Sequence, residues 1–198
     1  MPHTICIEAY EYDELSDSAK ETALDNLSQM FDFWGDDHKA VLDAFVEIFP
    51  VTVKDWEYGN RCNMSFTLDV YDDIAELSGI RLLKYLWNNY KNDLYKGKYY
   101  AKYINGKIVS RHSKIRLDSC CPLTGYYTDD DILAPIFEFM NMPYHYVDFY
   151  DLMRDCLWNW VHAGDIEYQS WYSEESLTDM ADVNDLYFDK HGNIIRKG

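Results

Sequence analysis

One dipeptide constrains this chain more than any other feature. Asn105-Gly106 stands between two β-prone runs, Tyr99 to Ile104 and Lys107 to Leu117. Asn and Gly both tolerate the left-handed backbone of a two-residue hairpin turn, which makes the pair a strong hairpin signal. A fold built from this sequence therefore carries a hairpin closed at 105–106. The segments around it decide the class. Ser16-Asp17 opens a helix, Ser16 accepting from first-turn amides and Asp17 complementing the dipole. Its apolar face holds Ala23, Leu24, Leu27, Met30, Phe31 and Trp34 at helical spacing. A second helix follows Gly35-Asp36-Asp37, carries Val41, Leu42, Phe45, Ile48 and Phe49, and stops at Pro50. Asp72 and Asp73 cap a long helix through Ile74, Leu77, Leu82, Leu86 and Trp87.

Asp129-Asp130-Asp131 starts a further helix through Ile132, Leu133, Ile136 and Phe137, another runs from about Asp148 to Val161, and Ser173-Glu174-Glu175 starts a short last one. Short strands fill the remainder. His3 to Tyr10 alternates Ile5 and Ile7. Val51 to Tyr58 and Met64 to Val70 turn at Gly59-Asn60, and Tyr187-Phe188 returns as Ile194-Ile195 about His191-Gly192-Asn193. Hairpins separated by helices, rather than alternating βαβ units, specify an α+β fold. The expectation is a small antiparallel sheet or hairpins with five to six packed helices. With 198 residues the chain makes one compact domain, 1–198, and any sub-lobes fall at 1–95 and 96–198.

Charge is segregated along the chain. Residues 81–116 hold ten of the eighteen Lys and Arg and one acid, Asp93, a local net charge of +9 in a chain of −17. Within that segment Lys98, Lys102, Lys107 and Arg111 interleave with Tyr95, Tyr99, Tyr100 and Tyr103. Cations among stacking rings suit single-stranded nucleic acid. The same basic segment also suits packing against acidic elements of its own fold or meeting an acidic partner, and the strongly acidic remainder repels phosphate within a Debye length of about 8 Å.

The acidic body invites a second reading, in which carboxylates imitate the phosphates of DNA. A folded chain of this mass exposes roughly 9,800 Å², so the net charge averages one per roughly 580 Å². Duplex DNA carries one per roughly 110 Å² of its cylinder. Mimicry therefore requires clustering, and the clusters are Asp36-Asp37, Asp72-Asp73 and Asp129-Asp130-Asp131. Each also makes ordinary sense as a helix N-terminus.

Five cysteines, an odd number with one adjacent pair, Cys120-Cys121, give no disulfide framework and no C-x-x-C, and they fit a reducing cytoplasm. The adjacent pair raises a metal or redox site with His112 or His145, but no second pair of ligands stands at zinc spacing. No stretch approaches 18 apolar residues, so no membrane span is expected. Phosphate loops, G-x-S-x-G and H-E-x-x-H are absent from the sequence. Neighbouring carboxylates at 129–131 point about 100° apart on a helix and do not converge on one ion. No catalytic residue, metal or cofactor is therefore expected, and the protein reads as a non-enzyme.

Two stretches carry a resemblance. Glu14-Leu15-Ser16-Asp17-Ser18-Ala19-Lys20-Glu21-Thr22-Ala23 resembles the E-L-S-D-x-A-K-E-x-A opening of a family of small acidic proteins encoded by phages, prophages and plasmids. Ser173-Glu174-Glu175 and Asn184 to Gly192 resemble that family's ending. In the middle this chain lacks the family's Gly-rich strand and has Trp56-Glu57-Tyr58-Gly59-Asn60-Arg61 near its place. Some members are labelled antitoxins. In size, acidity and tyrosine content the chain also resembles phage anti-defence inhibitors, including anti-CRISPR proteins.

The resemblance implies a non-catalytic inhibitor in a bacterial cytoplasm, partnered by a defence protein or CRISPR-Cas ribonucleoprotein. Its acidic residues Asp36, Asp37, Asp72, Asp73, Asp129, Asp130 and Asp131 would occupy a basic nucleic-acid groove, with Lys98, Lys102, Lys107 and Arg111 as a secondary surface. The alternatives are a toxin-neutralising protein and a nucleic-acid-binding protein that uses the basic hairpin.

Overall fold

The computed structural model describes residues 8–59 and 61–195. The strand expected at 3–10 lies mostly outside them, as do Cys6 and the Asn60 half of the expected turn. Among the described residues the fold is α+β, with seven helices and three separate two-stranded antiparallel ribbons. No described helix is long and apolar enough to cross a membrane. The chain divides into two compact units, residues 1–34 with 166–198 and residues 35–165.

The first unit joins α1 (Asp17–Met30), α7 (Glu174–Val183) and the ribbon of β5 (Tyr187–Phe188) and β6 (Ile194–Ile195). Both stretches that carry the family resemblance lie in it. Its core is Tyr12, Leu15, Ala19, Ala23, Leu27, Leu177, Ala181 and Phe188. Tyr10 exchanges two backbone hydrogen bonds of 2.9 Å with Phe188, and the Tyr12 hydroxyl donates to Glu174 Oε1 at 2.9 Å. Burial, then that carboxylate, pushes the Tyr12 phenol up to about 12. Small residues on α1 admit the 191–193 turn. A Cβ on Gly192 would fall 2.1 Å from the Ala19 carbonyl oxygen, and φ there is +86°. Only glycine fits.

Two expectations for α1 change. Ser16 is the N-cap residue, but its hydroxyl caps no amide; its carbonyl accepts from Lys20 N–H at 2.9 Å. Met30 and Trp34 are exposed, because α1 ends at Met30 and Phe31 turns to extended backbone. Ser173 does cap α7, accepting from Ser176 N–H at 3.3 Å.

The second unit comprises α2 (Asp36–Ile48), β1 (Val51–Glu57), β2 (Asn63–Leu68), α3 (Asp72–Ala75), α4 (Gly79–Leu94), β3 (Lys96–Ile104), β4 (Lys107–Asp118), α5 (Thr128–Asn141) and the larger part of α6 (Phe149–Trp171). Its core gathers Phe45 of α2 and Phe49 just after it, Leu82 and Leu86 of α4, Ile132, Ile136 and Phe139 of α5, and Met153 and Trp160 of α6. The Trp160 indole N–H donates to the His38 carbonyl at 2.9 Å, so a buried ring this large leaves no polar atom unpaired.

The single long helix expected from Asp72 is two helices, which brings the total to seven. Ser78 is extended, Gly79 has φ +55°, and the Gly79 N–H donates to the Tyr144 carbonyl at 3.0 Å instead of within a helix. Helix α6 continues ten residues beyond the expected end at Val161. Gly164 lets it pass Tyr58, whose ring atoms would lie 2.4 to 2.5 Å from a Cβ.

Candidate functional site: a bare basic ribbon

Asn105 and Gly106 both have positive φ, 49° and 78°, as the two-residue turn between β3 and β4 demands. The register runs Ile104 opposite Lys107, Tyr103 opposite Ile108, Lys102 opposite Val109, Ala101 opposite Ser110, Tyr100 opposite Arg111 and Tyr99 opposite His112. Cross-strand partners share a face and successive residues alternate, so this register fixes two faces. One carries Tyr100, Lys102, Ile104, Lys107, Val109 and Arg111, and Lys98 continues the row by alternation. The other carries Tyr99, Ala101, Tyr103, Ile108, Ser110 and His112. All four cations of residues 98–112 stand on the first face; the second has aromatic, aliphatic and small polar side chains only. Lys98 and Lys102, like Tyr99 and Tyr103, stand four apart, an even spacing that was readable as a shared face in the sequence.

Both faces are bare. Every residue from 98 to 112 is exposed, Tyr103 at 72% and Ile108 at 73%. Among the described residues no β3 or β4 side chain joins either hydrophobic core. Packing of this segment against acidic elements of its own fold is therefore not what the structure has. A two-stranded hairpin without a covering layer is marginal in water, so its foot matters. Beyond Tyr99–His112 the register resumes at Gly97 opposite Leu117, which leaves Ser113 to Arg116 bulged from β4. The Ser113 hydroxyl oxygen accepts from the Ile115 and Arg116 amides at 3.1 and 2.8 Å. His112 Nδ1 lies 2.8 Å from the Gly97 carbonyl oxygen, and its ring stacks obliquely on Tyr99 at 5.4 Å between centroids. A Cβ on Gly97 would lie 2.2 Å from the Ser113 carbonyl oxygen, so the bulge requires glycine there. It also extrudes Ile115, 91% exposed, between Lys114 and Arg116. No local propensity announces this bulge; it follows from pairing the two strand ends.

The acidic residues fare differently. Asp36 and Asp37 are exposed in the first turn of α2, and Asp72 and Asp73 in the single turn of α3. Asp130 is exposed and Asp131 half-buried at the start of α5. They occupy the first turns of three helices, the bland expectation for acidic doublets. Asp129 is fully buried and presents no charge to a partner. Its carboxylate accepts from the amides of Leu123, Thr124 and Gly125 at 2.8, 2.8 and 3.2 Å and from the Thr124 hydroxyl at 2.7 Å. It is the peg of the 123–125 loop, and the three-residue acidic cluster is a two-residue one at the surface.

Where β4 ends, Asp118 Oδ1 accepts from the Cys120 amide at 3.1 Å, and the Cys120 and Cys121 sulfurs lie 3.7 Å apart. Burial, then the Cys120 thiol and the Asp130 carboxylate, pushes the Cys121 thiol up to about 11. Neither His112 nor His145 belongs to this group. Comparison with protein-family models, with curated proteins and with solved structures finds no match to this chain.

Proposed function

We propose that the protein is a non-catalytic binding protein that docks on a bacterial nucleoprotein complex in the cytoplasm, and that the β3–β4 ribbon is the element that docks. One observation carries this reading: over residues 98–112 the bare ribbon has its four Lys and Arg on one face and aromatic and aliphatic side chains on the other. Phosphates match the first face, through Lys and Arg that release counterions on contact. An apolar protein groove matches the second, where tyrosines bury large area at low entropic cost. A nucleoprotein offers both surfaces side by side. The acidic remainder of the chain weakens attraction to naked nucleic acid and suits the basic protein component of such a complex. The resemblance to anti-defence inhibitors makes a CRISPR-Cas or restriction complex the natural target, with inhibition by occupying its nucleic-acid path.

The test is affinity capture from lysates of bacteria carrying different defence systems, with and without nuclease, using three forms of the protein. The unaltered chain retains one nucleoprotein complex. Reversing Lys98, Lys102, Lys107 and Arg111 to Glu abolishes retention, and so does Tyr103→Ser with Ile108→Ser. Retention that survives both variants removes the ribbon from the proposal. A second reading, direct nucleic-acid binding, is favoured by the fit of a two-stranded ribbon to the DNA major groove. A salt-dependent mobility shift with naked nucleic acid, lost in the charge-reversed form only, selects it. Recovery of a small toxin instead selects the toxin-neutralising reading.

A further inference from the structure

We propose that Cys120, Cys121 and Asp130 form a site for a thiophilic divalent cation, zinc being the ion whose geometry they fit. The two sulfurs are 3.7 Å apart. Two thiolates on a tetrahedral zinc, each at about 2.3 Å, stand about 3.8 Å apart. A carboxylate oxygen of Asp130 and the two sulfurs all lie within 4.8 Å of one another. On the same ion, with a Zn–O bond of about 2.1 Å, oxygen and sulfur are separated by about 3.6 Å. Closing the triangle therefore takes a movement of about an ångström by one exposed carboxylate.

The alternative chemistry for adjacent cysteines fits less well. Neighbouring Cα atoms across a trans peptide are about 3.8 Å apart, below the range of about 4.4 to 6.8 Å that ordinary disulfides span. No peptide bond in the described chain is cis. The sulfurs share a direction without being close enough to bond, and one ion bridges that separation.

The two ligand-bearing segments are held toward each other independently of any ion. The Cys121 amide donates to Asp130 Oδ1 at 3.4 Å, and Cys121 itself sits in the left-handed region at φ +44°. Asp129, next to the carboxylate ligand, pegs the loop that follows the cysteines with four hydrogen bonds. Cys120 N–H is tied to Asp118, the last residue of β4. Preorganisation of this kind lowers the ordering cost of binding. Three protein ligands leave the fourth tetrahedral position for water or a group from a partner. An ion there links the foot of the ribbon to the first turn of α5.

The experiment titrates the reduced full chain with Co²⁺ and Cd²⁺ and then displaces them with Zn²⁺, reading thiolate-to-metal charge transfer and the visible bands of tetrahedral cobalt. One ion per chain with thiolate bands is expected. Cys120→Ser and Cys121→Ser each remove the bands, Asp130→Asn weakens binding at least about tenfold, the order of loss typical at metal sites, and Cys62→Ser changes nothing. Circular dichroism of each variant reports its fold. Cys120 and Asp130 are exposed and Cys121 and Cys62 half-buried, so none of the four substitutions removes a fully buried side chain. Absence of thiolate bands in the unaltered chain, or bands that persist in both cysteine variants, overturns the site. Unchanged affinity in Asp130→Asn overturns the three-ligand set.

Discussion

The unit of residues 35–165 contains two antiparallel ribbons built on the same alternation and treated in opposite ways. In β1–β2 the register pairs Val51 with Leu68, Val53 with Phe66 and Trp56 with Met64, so six apolar side chains share one face. All six pack with the core, Val51 and Met64 fully buried, while Thr52, Thr67, Ser65 and Asn63 face outward. In β3–β4 the row of Tyr99, Tyr103 and Ile108 has the same periodicity and nothing over it. The difference teaches that alternation specifies a surface to be covered without specifying what covers it. In β3–β4 the chain supplies no layer over that row, and the opposite face carries the cations. Lysines on both strands also guard the open edges of such a ribbon against pairing with copies of itself.

The comparison breaks first, and hardest, at Met64. Met64→Ala in the covered ribbon should cost about 2–5 kcal/mol, whereas Ile108→Ala in the bare one should stay within about 0.5 kcal/mol. Urea denaturation of the two variants checks this; equal midpoints end the distinction. Next in size is Asp129→Ala, which leaves three amides and a hydroxyl of the 123–125 loop without their acceptor. A loss of about 1.5–3 kcal/mol is expected, against less than about 0.5 kcal/mol for Asp37→Ala on the surface. Equal losses in the same denaturation series would return Asp129 to the surface residues.

Gly97→Ala is expected to act locally. The added methyl meets the Ser113 carbonyl, and the ribbon should lose about 1–3 kcal/mol, read as faster amide exchange over 98–112 with the global midpoint unmoved. A global shift instead would mean that the ribbon is part of the cooperative fold. The smallest effect is at the third ribbon, β5–β6, too short to be decided by its cover. Asp189 accepts from the amides of His191 and Asn193 and from the Asn193 side chain. The Asn193 and His191 hydrogen bonds hold its carboxyl below the usual 3.8. A carboxyl lowered in the fold stabilises it above the unfolded value, and that contribution is lost as pH falls through the folded one. The His191 and Asn193 amide resonances should therefore move only below about pH 4, and Asp189→Asn should abolish the transition.

Much of this was legible in the residues. Asn105-Gly106 sets both left-handed angles of its turn, the buried faces of α1 and α2 follow their 3.6 periodicity through Ala23, Leu27, Val41 and Phe45, and Ser173 caps α7 as its type requires. Each depends on neighbours within a few positions. What escaped depends on distant ones. The break between α3 and α4 is held by the Tyr144 carbonyl, and the bulge at Ser113–Arg116 exists because Gly97 finds Leu117. Asp129 looked like its neighbours Asp130 and Asp131, and only the returning 123–125 loop separates its role from theirs. The cysteine pair was visible, but its third ligand lies nine positions on, with no spacing rule to announce it.

The pairing of Tyr12 with Glu174 has a consequence for biosynthesis. Its two partners are 162 positions apart. A ribosome adding about 5–20 residues per second needs roughly 8–32 s to make that interval. Throughout that time the apolar stripe of α1 has been made and Leu177, Ala181 and Phe188, which bury it, have not. Helix α1 is thus made long before the residues that cover it, and the small alanines beside Leu27 limit how much of that stripe stands open while it waits.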